Sequence, residues 1–197
     1  MRLPHFGPDE LEPAQRRLYE TLTTGQRRTV HDSLDPAIRM TDAEGRLQGP
    51  FNAMLVHPGL GDALQEVGRR LRFEGHLPAR ARELVILVVA ASEQSDFEWA
   101  AHEAIARSIG IEDDIIATLA SEQEPELDAP IEEAATVLAR TLVHHGDCDD
   151  DTYRRVLAVL GPDGVFEVST TVGLYQLLAQ QMRIFRVPGP PGPWRQR

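Results

Sequence analysis

The chain has 197 residues, 42% hydrophobic and 26% charged, proportions of a globular protein able to bury a core without cross-links. Its formal charge is −11, from 31 acidic against 20 basic side chains, and no basic stripe offsets it, which argues against a nucleic-acid partner. Cys148 is the only cysteine, so neither a disulfide nor a dithiol redox couple can form within one chain. MRLPHFGPDELEP lacks a signal-peptide core, and the longest apolar run, Leu84 to Ala91, is too short to span a bilayer. The expectation is a cytoplasmic protein with no membrane partner.

In chain order, Asp9 is placed to cap a helix running to about Thr23, marked by Leu11, Leu18 and Leu22. TTGQRRTVHDSLDPAIRMTDAEGRLQGP then reads as loop or extended connection, punctuated by Gly and Pro. Residues 1–48 are therefore expected to form an arm that lies on a partner surface. PFNAMLV predicts a short helix stopped at His57-Pro58, since a residue before proline leaves the helical region. Leu60, Leu64, Val67 and Leu71 set a helical period from Pro58 to about Arg72. Pro78 opens a helix to about Ser92 whose apolar run predicts burial on all sides; a central strand is the other reading of that run.

Asp96 is expected to cap a helix that Gly110 ends. Helices follow over 112–119, 130–145 and 150–160, and Asp163 caps a last one to about Phe185. VPGPPGPWRQR reads as a polyproline-like tail without a core of its own. The fold class is all-α: a helical domain over 49–187, between the arm and a tail at 188–197.

Three groups could carry chemistry. Glu98 and His102, four apart on one helix with Ser95 a turn earlier, suit a proton donor or shuttle with a carboxylate orienting the imidazole. A solvent-facing ion pair is the plain alternative. Glu83 heads the apolar helix and must point outward or be paired inside, with Arg80 and Arg82 near enough in sequence to serve. HHGDCDDD, from His144 to Asp151, mixes metal-ligand types, but its spacing fits no standard site and it reads better as a helix N-cap. No cofactor or metal is expected.

GPFNAMLVHPGLGDALQEVGRRLRFEGHLPARARELVILVVA, then FEWAAHEAIARSIGI, and the closing GVFEVSTTVGLYQLLAQQMRIFRVP resemble the carboxymuconolactone decarboxylase family of the alkylhydroperoxidase D-like superfamily. The resemblance covers about Gly49 to Pro188. Redox-active members carry a Glu, two cysteines three apart and a His four further on. Here the Glu falls on Glu83 and the His on His102, while Ser95 and Glu98 stand where the cysteines would be. Thiol chemistry needs both sulfurs, and Cys148 lies outside the motif.

The resemblance thus implies a homo-oligomeric, cofactor-independent acid/base enzyme that decarboxylates or isomerises a small carboxylated or lactone-like substrate. His102 would be the acid/base, Glu98 its orienting partner, Glu83 a second carboxylate and Ser95 a hydrogen-bond donor. Arg80 or Arg82 would hold a substrate carboxylate, and Asn52 would form part of the pocket wall. Two alternatives are a thiol peroxidase using Cys148 and a non-catalytic, oligomeric ligand-binding protein that keeps the fold.

Overall fold

The computed structural model describes residues 1–24, 29 and 34–196. Among them are eight α-helices and no strand, apart from one isolated bridge between Thr41 and Leu47. They are α1 (Pro13–Leu22), α2 (Gly49–Met54), α3 (Pro58–Phe73), α4 (Ala79–Ser92), α5 (Asp96–Ser108), α6 (Asp113–Ala120), α7 (Pro130–His145) and α8 (Asp150–Phe185). No helix among the described residues is long and apolar enough to cross a membrane.

The apolar run that could have been a strand is the central helix. Every side chain from Leu84 to Ala91 is buried, because α5, α6, α7 and α8 cover α4 on all sides. Each large apolar side chain buried there contributes about 2 kcal/mol. α8 breaks at Gly161-Pro162, where Gly161 leaves the helical region (φ 66°, ψ 172°), and Pro162 starts the second half without needing an N–H partner. HHGDCDDD is a helix junction: Gly146 ends α7 in the left-handed conformation, and the Asp149 side chain accepts from Thr152 N to cap α8.

The N-terminal segment does not stand apart as an arm. Leu11, Leu18, Leu22, Met40 and Leu47 form a second core with Phe51, Met54, Leu55, Leu174 and Leu178. Burial against α8 offsets the entropy that would otherwise keep such a segment loose. The expected helix from Asp9 is a short 3₁₀ turn (Pro8–Glu10) followed by α1, because Pro13 suits a helix start better than its interior. Much of the expected loop, residues 25–28 and 30–33, lies outside the described residues.

The tail also has a place on the chain. Val187 packs with Phe97, Ala101, Ile105 and Met182. Asp96, expected as the cap of α5, instead accepts from Gly192 N and from Trp194 Nε1, and Ser95 is the N-cap, without a side-chain capping bond to the helix backbone.

Candidate active site

Glu83 and His102 meet deep in the domain. Glu83 sits at the head of α4 with no exposed surface, held there by the apolar run that follows it. His102 projects from the buried face of α5, and its Nδ1 lies 2.6 Å from Glu83 Oε2. Two guanidiniums flank the other carboxylate oxygen: Arg72 from α3 at 3.4 Å and Arg82 at 3.7 Å. Burial alone would push Glu83 up, but His102, Arg72 and Arg82 outweigh it and hold the carboxyl at about 2. With His102, Arg72 and Arg82 all beside it, Glu83 is the ionised member of the pair.

His102 goes the other way. Burial pushes it below its ordinary value, only partly offset by Glu83 and reinforced by Arg72 and Arg82. A neutral imidazole that donates Nδ1–H to Glu83 leaves Nε2 as a base. The Tyr175 ring meets the imidazole edge to face, with centroids 5.1 Å apart, and fixes its plane. Tyr175 is also hydrogen-bonded to Arg72, which links α3 to α8 behind the site.

Beside the dyad is a cavity of about 60 Å³ whose walls include Phe51, Leu64, Arg72, Glu98, His102 and Tyr175. It has room for a few waters or a small group. Glu98 enters it from the first turn of α5 without bonding to His102. Burial pushes Glu98 up to about 8, against an easing influence from Ser95 and Arg183 and with Glu93 adding to the rise. At neutral pH it is a carboxylic acid facing a neutral imidazole across one cavity. Divergent environments of this kind separate an acid from a base.

The structure redistributes the expected roles. His102 and Glu98 do line one cavity, but the group orienting His102 is Glu83, reached across helices, and not Glu98. Ser95 lies one turn earlier on a separate hollow, where its side chain is hydrogen-bonded to Glu98 and not to His102. Asn52 is not a wall of the cavity: it is buried, its Nδ2 donates to Pro4 O at 3.0 Å, and its Oδ1 accepts from Phe6 N at 3.4 Å. Arg80 points away, bonded to Glu132, Glu112 and the Gly110 carbonyl. Arg82 stands behind Glu83 and does not line the cavity.

The cation at the cavity is Arg72, which sequence reasoning missed. Its signal was its register, since Leu64, Gly68 and Arg72 recur every four residues and face inward. Neighbouring Arg69 and Arg70 pair with Glu66 and Glu74 on the outside. Cys148, in the loop before α8, is not at the cavity, and burial with three nearby aspartates pushes its thiol up. Among the described residues, no three His, Cys, Asp or Glu side chains converge as metal ligands.

Residues 58–141 match the model of the carboxymuconolactone decarboxylase family. No curated protein matches the chain. Among solved structures, an uncharacterized peroxidase-related protein with an alkylhydroperoxidase core from Ralstonia eutropha superposes with a TM-score of 0.72 at 13% identity, covering 95% of this chain and 91% of that one. A peroxidase-related protein from a Silicibacter species gives 0.71 at 13% identity, covering 95% and 90%. The debrominase Bmp8, in complex with 2,3,4-tribromopyrrole, gives 0.60 at 14% identity, covering 85% and 90%. The match to the carboxymuconolactone decarboxylase family spans the part of the chain that carries Glu83, Glu98 and His102, and the chain has the alkylhydroperoxidase D-like helical fold.

Proposed function

We propose that this protein is a carboxymuconolactone decarboxylase-like, cofactor-independent acid/base enzyme that decarboxylates or isomerises a small carboxylated or lactone-like substrate. The observation that carries the reading is the pairing, on one cavity, of a protonated Glu98 with a His102 whose second nitrogen is left basic by Glu83. Arg72 supplies the cation for a substrate carboxylate, a role its planar donors suit. In decarboxylation the C–CO₂ bond breaks and its electron pair spreads into the adjacent carbonyl as a dienolate. Glu98 then gives its proton to the carbon. In isomerisation His102 Nε2 removes a proton from one end of the allylic system and Glu98 returns one to the other. The proton balance is restored from solvent between turnovers.

The test is an assay of carboxylated γ-lactones for CO₂ release or double-bond migration, using the parent and His102→Gln. Loss of a positioned acid or base costs about 10²–10⁴ in rate. A folded His102→Gln that turns over at the parental rate would remove His102 from the mechanism. A thiol peroxidase finds no support at the cavity, since its polar wall contains no sulfhydryl.

The reading includes a homo-oligomer, for which Phe166, exposed beside a groove lined by Val67 and Leu71, is the candidate contact.

A further inference from the structure

The first turn of α5 is gripped from outside by the C-terminal segment. Asp96 Oδ1 accepts from Trp194 Nε1 at 2.8 Å and from Gly192 N at 3.1 Å. The Trp194 ring meets Trp99 edge-on, centroids 5.8 Å apart. Between these points the chain passes so close to Phe97 that a Cβ at Gly189 would lie 2.8 Å from Phe97 N. The prolines at 188, 190, 191 and 193 hold the segment extended, so pinning it costs little conformational entropy. Asp96, Phe97 and Trp99 are the immediate neighbours of Glu98, and all three are held this way.

Phe97 has a second particular position. It lines the inner cavity and also an outer hollow of about 340 Å³ between the 93–97 turn and the end of α8. Its ring rests against Gly49, where a Cβ would come within 2.3 Å. The ring therefore stands in the wall of both the outer hollow and the inner cavity that Glu98 lines.

We propose that residues 187–194 are a positioning strap: by holding Phe97 as the plug between the two spaces, they keep Glu98 dry and aimed into the inner cavity. Trp194 and Asp96 act through α5, without touching substrate. Other groups facing Glu98 are Glu93 on the preceding turn, Arg183 and Tyr175 on α8, Arg72 on α3 and His102 on its own helix. Releasing the strap leaves these in place and changes the access of water. The inference rests on the reading of Glu98 as the proton donor.

The test follows the infrared carbonyl band of the protonated Glu98 against pH in the full chain without ligand, the band being identified by its loss in Glu98→Gln. Trp194→Ala should move the titration midpoint down by at least about one unit as water returns to the carboxyl. Gly189→Ala, whose Cβ forces the strap off Phe97, should do the same, and Trp194→Phe, which deletes only the donor, should move it the same way. Circular dichroism identifies which of the three fold. A parental midpoint in those that do overturns the strap. If turnover survives Glu98→Gln while the band still follows the strap, the catalytic reading fails and the strap stands.

Discussion

Glu98 and Glu83 are both buried carboxyls on either side of one imidazole, yet they titrate in opposite directions: Arg72 and Arg82 lie 3.4 and 3.7 Å from Glu83, whereas burial outweighs the weaker pull of Arg183 on Glu98. Opposite pH signatures follow. Glu98 has its folded value raised from 4.5 to about 8, so the stability tied to its protonated form is complete below about 4.5 and is lost as pH rises through about 8. The melting temperature should decline across that window, and Glu98→Gln should flatten the decline, as seen in thermal melts at pH 5 to 9. Glu83 has its value lowered from 4.5 to about 2, so its contribution is present above about 4.5 and lost as pH falls through about 2. Glu83→Gln leaves Arg72 and Arg82 without their shared carboxylate and should cost roughly 3 kcal/mol in denaturant unfolding at neutral pH. An unchanged midpoint there would mean the arginines find other partners. Sequence spacing pointed to all three residues but assigned the wrong partner to His102. It registers neighbours on one helix, whereas the bond crosses from α5 to α4.

Periodicity was the reliable guide among the elements. The apolar rows of α3 and the uninterrupted run of α4 marked helices, and burial bears out the all-round cover expected of α4. The segments at either end of the chain were not legible in this way. They are held by single polar side chains, Asn52 gripping Pro4 and Phe6 and Asp96 gripping Gly192 and Trp194, and such contacts leave no period. Arg2 N also donates to Phe185 O at 2.7 Å, tying the N-terminus to the end of α8. The meeting of Gly49 with Phe97 belongs to this class. Gly49 adopts φ 58°, and a Cβ there would fall on the ring. Gly49→Ala should therefore destabilise the protein by about 2 kcal/mol or more, measured by urea unfolding, because both the backbone and the ring must shift.

At the scale of the molecule, the charge excess and the exposed apolar side chains bear on association. Phe166 is 73% exposed on the outer side of α8, flanking a groove with Val67 and Leu71 of α3. If a second copy covers this face, Phe166→Glu should lower the mass found by light scattering toward that of one chain, 21.9 kDa, without loss of helix signal. A mass unchanged by the substitution would place the contact elsewhere. The site itself lies inside one chain, where α3, α4, α5 and α8 bring Arg72, Glu83, Glu98, His102 and Tyr175 together. Its chemistry depends on His102 being a base at neutral pH while Glu98 holds its proton. Nitrogen-15 NMR of the His102 ring at pH 7 reads that state directly. The account predicts a neutral imidazole protonated on Nδ1 with Nε2 bare; a doubly protonated ring, or a proton on Nε2 alone, would contradict it.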